Sequence, residues 1–339
     1  MNGIKTSCAL IASILIAGSA AAGEISTIYV GDSNGGISLD SAGDIYAANY
    51  GAINATTGSE PVWKISPTDA FTPFIFVSDI NIASGNDFDS LGNLYQSNFG
   101  GDSITRVDPA GVATDFGGFV NGPVGIAIDD ADNLYVSGCQ ENRIVRIEPD
   151  GTTNPFVVSS MLNCPNGITR ADSGDFYVIN WQDGRIFLVT PTGGISEFAN
   201  IPSPGGHVTI STAEDRLYAT SFGGNQIYGI ALSGADAGNV VVTIGTGAAG
   251  SDDGGYFEAS FNQPNGITAD ATGEVLYVTD ATGVRRIALE DEAAPPPPPP
   301  PPAPPPPAGG GSGGGGAAGW GFLAGLLGMF LVRRRVAGC

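Results

Sequence analysis

Three polar side chains stand at similar places in repeated stretches of this chain, each just before a short apolar run. Asn166 and Asn265 both lie in the sequence Pro-Asn-Gly, and His207 is the only histidine of the protein. A neutral imidazole beside two amides suits the orientation of a ligand carbonyl or the weak binding of a softer metal ion. Asp280 is the best-placed carboxylate to act with them, so His207 and Asp280 are the candidate catalytic residues. Structural roles are the alternative: the asparagines cap the start of a strand, and the histidine is a hydrogen-bonded interior residue.

A site for a hard divalent cation such as calcium is incomplete in this pattern. The positions that match Asn166 and Asn265 in three other repeats, Gly35, Ser84 and Val124, supply none of the carboxylates that such a cation prefers. Aspartates in the tight turns of the repeats offer a second calcium hypothesis: Asp40, Asp89, Asp129, Asp172 and Asp270. We favour the simpler interpretation, in which each aspartate caps its own turn through backbone amides.

The segments that follow the second strand of each repeat carry side chains suited to recognition. These segments contain Asn49-Tyr50, Asn98-Phe99, Gly138-Cys139, Asn180-Trp181, Ser221-Phe222 and Asp280-Ala281. Aromatic groups in four of the six predict a rim suited to sugars, peptides or loops of a partner protein. Packing between repeats is the alternative, and we favour it for Phe99 and Phe222. The candidate ligand-binding set is Asn49, Asn98, Asn166, Asn180, Trp181, His207, Asn265 and Asp280.

These residues belong to six copies of one pattern, in which an apolar stretch, an Asp- and Gly-rich turn and a tyrosine-containing strand follow one another. The tyrosines that register the copies are 49, 40, 42, 41 and 59 residues apart: Tyr46, Tyr95, Tyr135, Tyr177, Tyr218 and Tyr277. Period-two alternation predicts short strands, and a period near 40 is typical of propeller blades. We therefore predict an all-β, six-bladed β-propeller of four-stranded blades over residues 24–290.

The sixth copy lacks a fourth strand at its C-terminal end. After its third strand, Val284–Leu289, the chain runs into acidic residues and then proline. An unpaired strand is available before the first copy, at Ile25–Val30. Because pairing these two strands would remove a long exposed edge, we predict that the N-terminal strand closes the last blade.

The repeats resemble those of NHL-type propellers and, more broadly, the six-bladed superfamily that contains regucalcin, gluconolactonases, paraoxonases and strictosidine synthase. The local match is best around Asn265, in a sequence led by Phe261-Asn262-Gln263-Pro264. Gluconolactonase-like members hold a divalent metal in the central channel through Asn, Asp and a Glu from an early blade. The resemblance thus implies Asn166 and Asn265 as ligands, whereas the sequence has no early Glu in a matching motif. Because one fold serves many functions, the blades by themselves assign no activity.

Both ends of the chain predict export. Residues 1–22 combine Lys5, an apolar stretch and a run of alanines, which is typical of a secretory signal peptide. Residues 291–316 form an acidic, proline-rich and then glycine-rich linker, and residues 317–335 are a short apolar segment ending in three arginines.

This C-terminal order resembles the GlyGly-CTERM sorting tails of Gram-negative bacteria. The resemblance implies cleavage near Gly309–Gly316 by a rhomboid-type protease, transient anchoring in the inner membrane, and delivery to the cell surface or medium. A permanent single-pass membrane anchor is the alternative.

Charge and cysteines agree with an exported protein. Without Lys5 and Arg333–Arg335, the chain keeps 9 basic residues against 34 acidic ones, a net charge of −25. So acidic a surface argues against nucleic acid as a partner. Cys139 and Cys164 are the two cysteines outside the terminal segments, and we predict a disulfide between them, with two buried thiols as the alternative.

Two functional hypotheses follow, from different classes. The first is a non-enzymatic binding module that presents one loop-rich face to a protein, peptide or carbohydrate ligand. The second is a metal-assisted lactonase or esterase that uses Asn166, His207, Asn265 and Asp280 in the central channel. The scarcity of carboxylates near these residues favours the first. No Ser-His-Asp motif, phosphate-binding loop, Cys-x-x-Cys or His-Glu-x-x-His supports another chemistry.

Overall fold

The computed structural model describes residues 23–289, apart from 32, 52–59, 67–72, 212 and 214. The predicted signal peptide, linker and sorting tail therefore lie outside the described residues. The chain divides into residues 1–293 and 294–339, and the described residues all belong to the first part. Among the residues described, no helix is long and apolar enough to cross a membrane.

Short antiparallel strands account for nearly all of the regular structure. The chain starts with β1 (Glu24–Val30) and continues through blade 1 with β2 (Ile37–Leu39), β3 (Ile45–Ala48), β4 (Glu60–Ile65) and β5 (Pro73–Ile80). Blade 2 contains β6 (Ala83–Phe88), β7 (Leu94–Asn98), β8 (Ser103–Val107) and β9 (Ala113–Phe116). Blade 3 contains β10 (Pro123–Ile128), β11 (Leu134–Gly138), β12 (Arg143–Ile147) and β13 (Thr153–Val158).

The second half of the ring repeats this arrangement. Blade 4 contains β14 (Pro165–Arg170), β15 (Phe176–Asn180), β16 (Arg185–Val189) and β17 (Ile195–Asn200). Blade 5 contains β18 (Gly205–Ser211), β19 (Arg216–Ser221), β20 (Gln226–Ala231) and β21 (Val240–Ile244). Blade 6 contains β22 (Gly254–Gly255), β23 (Ile267–Ala269), β24 (Val275–Asp280) and β25 (Gly283–Ala288) together with β1.

The first strands of the six blades contact one another in sequence around a central channel. Because β23 of blade 6 contacts β2 of blade 1, the ring is closed. The predicted all-β, six-bladed propeller is confirmed.

The hydrophobic core is divided into six layers, each between two adjacent blades. Ile144 of blade 3 packs with Phe176 of blade 4, for example, and Tyr46 of blade 1 packs with Leu94 of blade 2. A four-stranded blade has two apolar faces, and each layer buries one face from each of two neighbours. A single blade cannot bury both of its faces without the rest of the ring.

The aspartates of the repeats cap the turns between the first and second strands. Asp129 Oδ1 accepts hydrogen bonds from the backbone nitrogens of Ala131 and Asn133, both at 2.9 Å, and its Oδ2 accepts one from the Tyr135 hydroxyl at 3.2 Å. Asp40, Asp89 and Asp270 accept backbone hydrogen bonds in the same way. The capping interpretation is confirmed for these four. It is wrong for Asp172, because the backbone of Ala171 closes that turn and stands at the equivalent position.

The N-terminal strand closes the ring as predicted. β1 pairs antiparallel with β25, with Ile25 opposite Ile287 and Val30 opposite Gly283. On its other side β1 pairs with the two-residue strand β22, so that it is not the edge of the sheet at that end. β22 belongs to the long segment between blades 5 and 6, which also explains the 59-residue spacing of the last two tyrosines.

Arg285 ties this long segment to blade 6. Its side chain is completely buried and donates to the carbonyl oxygens of Ser260 (2.7 Å) and Asp252 (2.9 Å). It also forms an ion pair with Asp253 at 2.8 Å and lies over the ring of Phe261, 5.0 Å from its centroid. Each of these contacts joins the last blade to the segment that leads into it.

Candidate functional site

A cavity of about 300 Å³ opens at one end of the channel, on the face that carries the loops after the second strands. We call it the upper cavity. The described residues that line it are Asn34, Tyr50, Ser84, Phe99, Val124, Cys139, Cys164, Asn166, Trp181, Gln182, Phe222 and Asn265. None of these side chains is charged. An uncharged, partly apolar lining selects for a ligand without formal charge, since a charged ligand would lose its hydration without gaining a partner.

Two aromatic pairs stand on opposite sides of this cavity. Tyr50 of blade 1 and Phe99 of blade 2 have ring centroids 5.6 Å apart, and Trp181 of blade 4 and Phe222 of blade 5 have centroids 5.0 Å apart. Each pair packs across the junction of two blades, as the packing alternative predicted, and also lines the cavity. Burial raises the pKa of Tyr50 to about 12, so its hydroxyl stays neutral at ordinary pH.

Asn166 and Asn265 lie at the inner wall of the upper cavity, and both tie neighbouring blades together. Asn166 Nδ2 donates to the carbonyl oxygen of Gly205 at 3.0 Å, and Asn265 Nδ2 donates to that of Asn34 at 2.8 Å. The amide nitrogens are thus engaged by backbone, and the group left for a ligand is the oxygen. Asn265 Oδ1 is buried and has no hydrogen-bond partner among the described residues.

The predicted disulfide is present and forms part of the cavity wall. Cys139 and Cys164 are bonded, and they join the loop after the second strand of blade 3 to the segment that leads into blade 4. The backbone nitrogen of Trp181 donates to the carbonyl oxygen of Cys164 at 2.8 Å. The disulfide therefore fixes the segment against which Trp181 is held.

Five of the eight sequence-predicted site residues do not line the upper cavity: His207, which is described below, and Asn49, Asn98, Asn180 and Asp280. Asn49 accepts from the backbone nitrogen of Gly51 at 2.8 Å, Asn98 donates to Ser103, and Asn180 bonds the backbone of Asn163 and Met161. Asp280 is completely buried, where it accepts from Thr282 and Gly283 and lies 3.6 Å from Arg285. Asn49, Asn98 and Asn180 thus shape the loops that carry Tyr50, Phe99 and Trp181, whereas Asp280 shapes the turn between β24 and β25.

The sequence alignment of His207 with Asn166 and Asn265 is wrong by one residue. Thr209 pairs with Tyr218 as Thr169 pairs with Tyr177, so His207 is equivalent to Gly167, and Gly206 is equivalent to Asn166. The error arose because blade 5 lacks the Pro-Asn-Gly sequence that marks this position in blades 4 and 6. His207 thus occupies a level of the channel at which the other five blades have glycine.

Glycine at this level is required by close contact between neighbouring inner strands. A Cβ added at Gly36 would lie 2.5 Å from the Cα of Gly85, and one at Gly125 would lie 2.5 Å from the Asn166 carbonyl oxygen. We call the ring of Gly36, Gly85, Gly125, Gly167, His207 and Gly266 the glycine level.

Beyond the glycine level lies a second cavity of about 210 Å³, the lower cavity, which shares no lining residue with the upper one. His207 lines it, with 8 % of its surface exposed, and burial lowers the pKa of its imidazole to about 4. The side chain is consequently neutral at physiological pH. The carboxyl of Asp87 lies in the same cavity, and burial raises its pKa to about 7 against the opposing effect of two backbone N–H donors.

The structure thus brings Asn166, Asn265 and Trp181 together at the upper cavity and separates them from His207 and Asp280. Sequence reasoning missed Asn34 and Gln182 of the upper cavity, which lie in irregular segments without a repeat signal. It also missed Asn86 and Asp87 of the lower cavity. A signal for Asn86 exists, because it interrupts a position held by isoleucine or valine in the other blades.

Neither cavity matches the predicted lactonase-type metal site. The described residues contain no group of three or more His, Cys, Asp or Glu side chains that could hold a metal ion. In the upper cavity, the two asparagines have no carboxylate beside them among the described lining residues.

Comparisons with known proteins find similarity in fold and not in sequence family. No protein-family model matches it, and no curated protein matches its sequence. Among solved structures, an auxiliary nutrient binding protein from Bacteroides ovatus is similar with a TM-score of 0.64 and 16% identity, over 79% of this chain and 77% of that one. A protein of unknown function from Bacteroides thetaiotaomicron has a TM-score of 0.62 and 15% identity, over 78% and 75%.

A third similar structure is a catalytically inactive virginiamycin B lyase from Staphylococcus aureus with quinupristin. Its TM-score is 0.53 and its identity 17%, over 78% of this chain and 99% of that one. At such identities the likeness establishes the propeller fold alone.

Proposed function

We propose that this protein is an exported binding module, which takes up an uncharged ligand in the upper cavity. The ligand has an apolar face for the aromatic pairs and hydrogen-bond donors for the asparagine oxygens. Neutral carbohydrates combine these two properties, because the face of a pyranose ring is apolar and its edge carries hydroxyl groups.

The observation that carries the proposal is that one cavity contains two aromatic pairs and two asparagine amides whose nitrogens are already bonded to backbone carbonyl oxygens. Trp181 and Phe222 face the pair Tyr50 and Phe99 across a volume of about 300 Å³, which is the size of a small-molecule site. Because the amide nitrogen of Asn265 is held by the Asn34 carbonyl, its unpartnered oxygen accepts from a ligand hydroxyl.

The named structural neighbours support a binding role. One is named as a nutrient-binding protein and another as a lyase with bound quinupristin, so propellers of this shape accommodate small ligands. The hydrolase hypothesis has less support, since the upper cavity has uncharged walls and Asp280 is buried away from it in contacts with Arg285.

Export is part of the proposal and rests on the sequence. The signal-peptide pattern of residues 1–22 and the sorting-tail pattern of residues 317–335 support delivery to the cell surface or medium of a Gram-negative bacterium. A disulfide at the cavity wall suits an oxidising compartment.

Binding of neutral oligosaccharides tests the proposal, with the fluorescence of Trp181 as one readout and calorimetry as another. Trp181→Ala should weaken the affinity about tenfold or more, because aromatic anchors dominate binding at such sites. Phe257→Ala is the matched control: Phe257 is 80% exposed and does not line the cavity, so its loss should leave the affinity unchanged.

Two results would contradict the proposal. The first is a set of dissociation constants that Trp181→Ala and Phe257→Ala change equally. The second is hydrolysis of lactone or ester substrates by the purified protein, abolished by changes in the upper cavity, which would support the hydrolase hypothesis instead.

A further inference from the structure

Polar side chains alternate from blade to blade at the floor of the upper cavity. In every blade one residue of the inner strand pairs with the registering tyrosine, as Asp87 pairs with Tyr95, and the residue three positions before it is equivalent in all six. In the order of the blades, these equivalent residues are Gly35, Ser84, Val124, Asn166, Gly206 and Asn265. Blades 2, 4 and 6 thus supply hydrogen-bonding side chains, and blades 1, 3 and 5 supply none.

The three polar residues stand a third of a turn apart around the channel, because they belong to alternate blades of a ring of six. We call Ser84, Asn166 and Asn265 the polar triangle. All three line the upper cavity and are buried, with 1, 4 and 7 % of their surface exposed. Since backbone carbonyl oxygens hold the amide nitrogens of Asn166 and Asn265, the triangle offers two amide oxygens and one hydroxyl group to a ligand.

The glycine level closes the channel directly below the polar triangle. Its residues follow the floor residues by one position in each blade, and none of its five glycines lines either cavity. The lining of the lower cavity starts one position further along, as at Ile126 and Ile168. The upper cavity is therefore a pocket with a closed floor and a mouth at the face of the ring.

Contacts within the glycine level explain this closure. The inner strands of neighbouring blades touch, so that a Cβ added to Gly167 would lie 2.4 Å from the Cα of His207, and one added to Gly266 would lie 2.9 Å from that of Gly36. Blade 5 is opposite blade 2 in the order of contacts around the ring. Because Cε1 of His207 in blade 5 lies 3.1 Å from where a Cβ on Gly85 in blade 2 would stand, the imidazole crosses the channel.

We propose that the upper cavity recognises the end of a neutral glycan chain and encloses its terminal sugar unit, a specificity that rests on the proposed function. The edge of this unit lies on the polar triangle, where its hydroxyl groups donate to the oxygens of Asn166 and Asn265. Its apolar faces meet the two aromatic pairs. The rest of the glycan leaves through the mouth into solvent.

The volume and shape of the cavity favour the end of a chain over an internal segment. A volume of about 300 Å³ is at the lower limit of small-molecule sites. An internal segment must leave a site in two directions, whereas this cavity has a closed floor. A glycan lying across the mouth would leave the buried oxygens of the polar triangle without a donor, which is costly.

The test is how the affinity depends on the length of the glycan. The probes are the malto-, cello-, xylo- and manno-oligosaccharides, from the monosaccharide to the hexasaccharide, titrated into the purified protein by calorimetry. In a series that binds, the dissociation constant should change by less than about threefold beyond the disaccharide, because units in solvent make no contact. A soluble polymer of the same sugar should bind protein in proportion to its chain ends and not to its length.

Ser84→Ala tests the polar triangle. It should weaken the binding of disaccharide and hexasaccharide by the same factor, about tenfold, because the triangle contacts the terminal unit of either ligand. Ser41→Ala is the matched control: Ser41 is exposed in a turn and lies outside the upper cavity, so its change should leave both dissociation constants as they are.

Three results would count against recognition of chain ends. Affinity that rises about tenfold or more from disaccharide to hexasaccharide, or several protein molecules bound along one polymer chain, would overturn it and leave the proposed binding function in place. Binding that Ser84→Ala weakens no more than Ser41→Ala does would remove the polar triangle from the site. If none of the four series binds, the proposed function fails together with this specificity.

Discussion

His207 is a buried imidazole at a position where the other five blades have glycine. At the glycine level, backbones of neighbouring blades approach too closely for a Cβ at Gly36 or Gly125. At the equivalent position of blade 5, His207 carries a side chain, and its Cε1 lies 3.1 Å from where a Cβ on Gly85 would stand. The consequence is a buried imidazole whose protonation the fold opposes.

The free energy of unfolding should therefore decrease at acidic pH, because His207 is harder to protonate in the folded chain than in the unfolded chain. Burial lowers the pKa of its imidazole from 6.5 to about 4 in the folded chain, so the unfolded chain binds the proton first. The contribution is complete above pH 6.5 and is lost as the pH falls toward 4, by on the order of 3 kcal/mol. Denaturant unfolding of the wild-type protein and of His207→Gly at several pH values measures the difference.

Asp87 has the opposite effect on the pH dependence of stability, in a pH range that overlaps with that of His207. Because its folded pKa is raised to about 7, its contribution is present at low pH and is lost as the pH rises from 4 to 7. Both proteins contain Asp87, so the comparison isolates His207. An NMR titration of the single imidazole that gives an ordinary pKa would show that the side chain is not buried as described.

At the scale of the element, the strands and turns can be predicted from local sequence patterns, whereas the geometry of the cavities cannot. The Asp-to-Tyr spacing of the repeats sets each turn and its capping bonds, as at Asp129 and Tyr135, because these interactions are local. The orientation of the Asn265 amide depends on the Asn34 carbonyl, which lies 231 residues earlier in the chain. No local pattern contains that information. The register of His207 was likewise decided by the pairing of Thr209 with Tyr218 and not by a motif.

The disulfide between blades 3 and 4 should contribute to both stability and ligand binding. Replacing Cys139 and Cys164 together with serine removes a crosslink across 25 residues, which should lower the free energy of unfolding by about 3 kcal/mol. It should also weaken binding in the upper cavity, because Trp181 is held by the Cys164 backbone. Urea unfolding and ligand titration of the same variant measure the two effects.

Reduction of the wild-type protein provides the control for the serine variant. Both should show the same loss of stability, since both lack the crosslink. An unfolding free energy that neither change alters would mean that the two loops are fixed by the ring alone.

At the scale of the whole molecule, the ring is held closed by one strand from the far end of the chain. Deleting residues 24–31 removes β1, exposes the edge of β25 and uncovers Ile287. We expect a strong fall in the midpoint of thermal unfolding. A deletion variant that unfolds at the wild-type temperature would contradict this role for β1.

Truncation at the other end should have no such effect. A chain that ends at Glu292 keeps all of the strands in the described ring, and it should match the full-length protein in thermal stability and ligand affinity. It should nevertheless lose its route to the cell surface. If the tail is processed as proposed, intact mass spectrometry of the mature protein should find a C-terminus within Gly309–Gly316. Mature protein that still carries Arg333–Arg335 would favour a permanent anchor.

The pairing of β1 with β25 also sets the order of events during biosynthesis. Ile25 and Ile287 are neighbours in the sheet but almost the whole domain apart in sequence, so this contact cannot form before blade 6 is made and it raises the contact order of the fold. If the chain is exported from its N-terminus as proposed, β1 crosses the membrane first and stays unpaired until blade 6 has followed. During that interval the apolar side chain of Ile25 and two strand edges are exposed to other chains, which is the condition for domain swapping and aggregation. Under that proposal, chaperones that bind extended strands in the periplasm are expected to engage residues 24–30 before any other part of the ring.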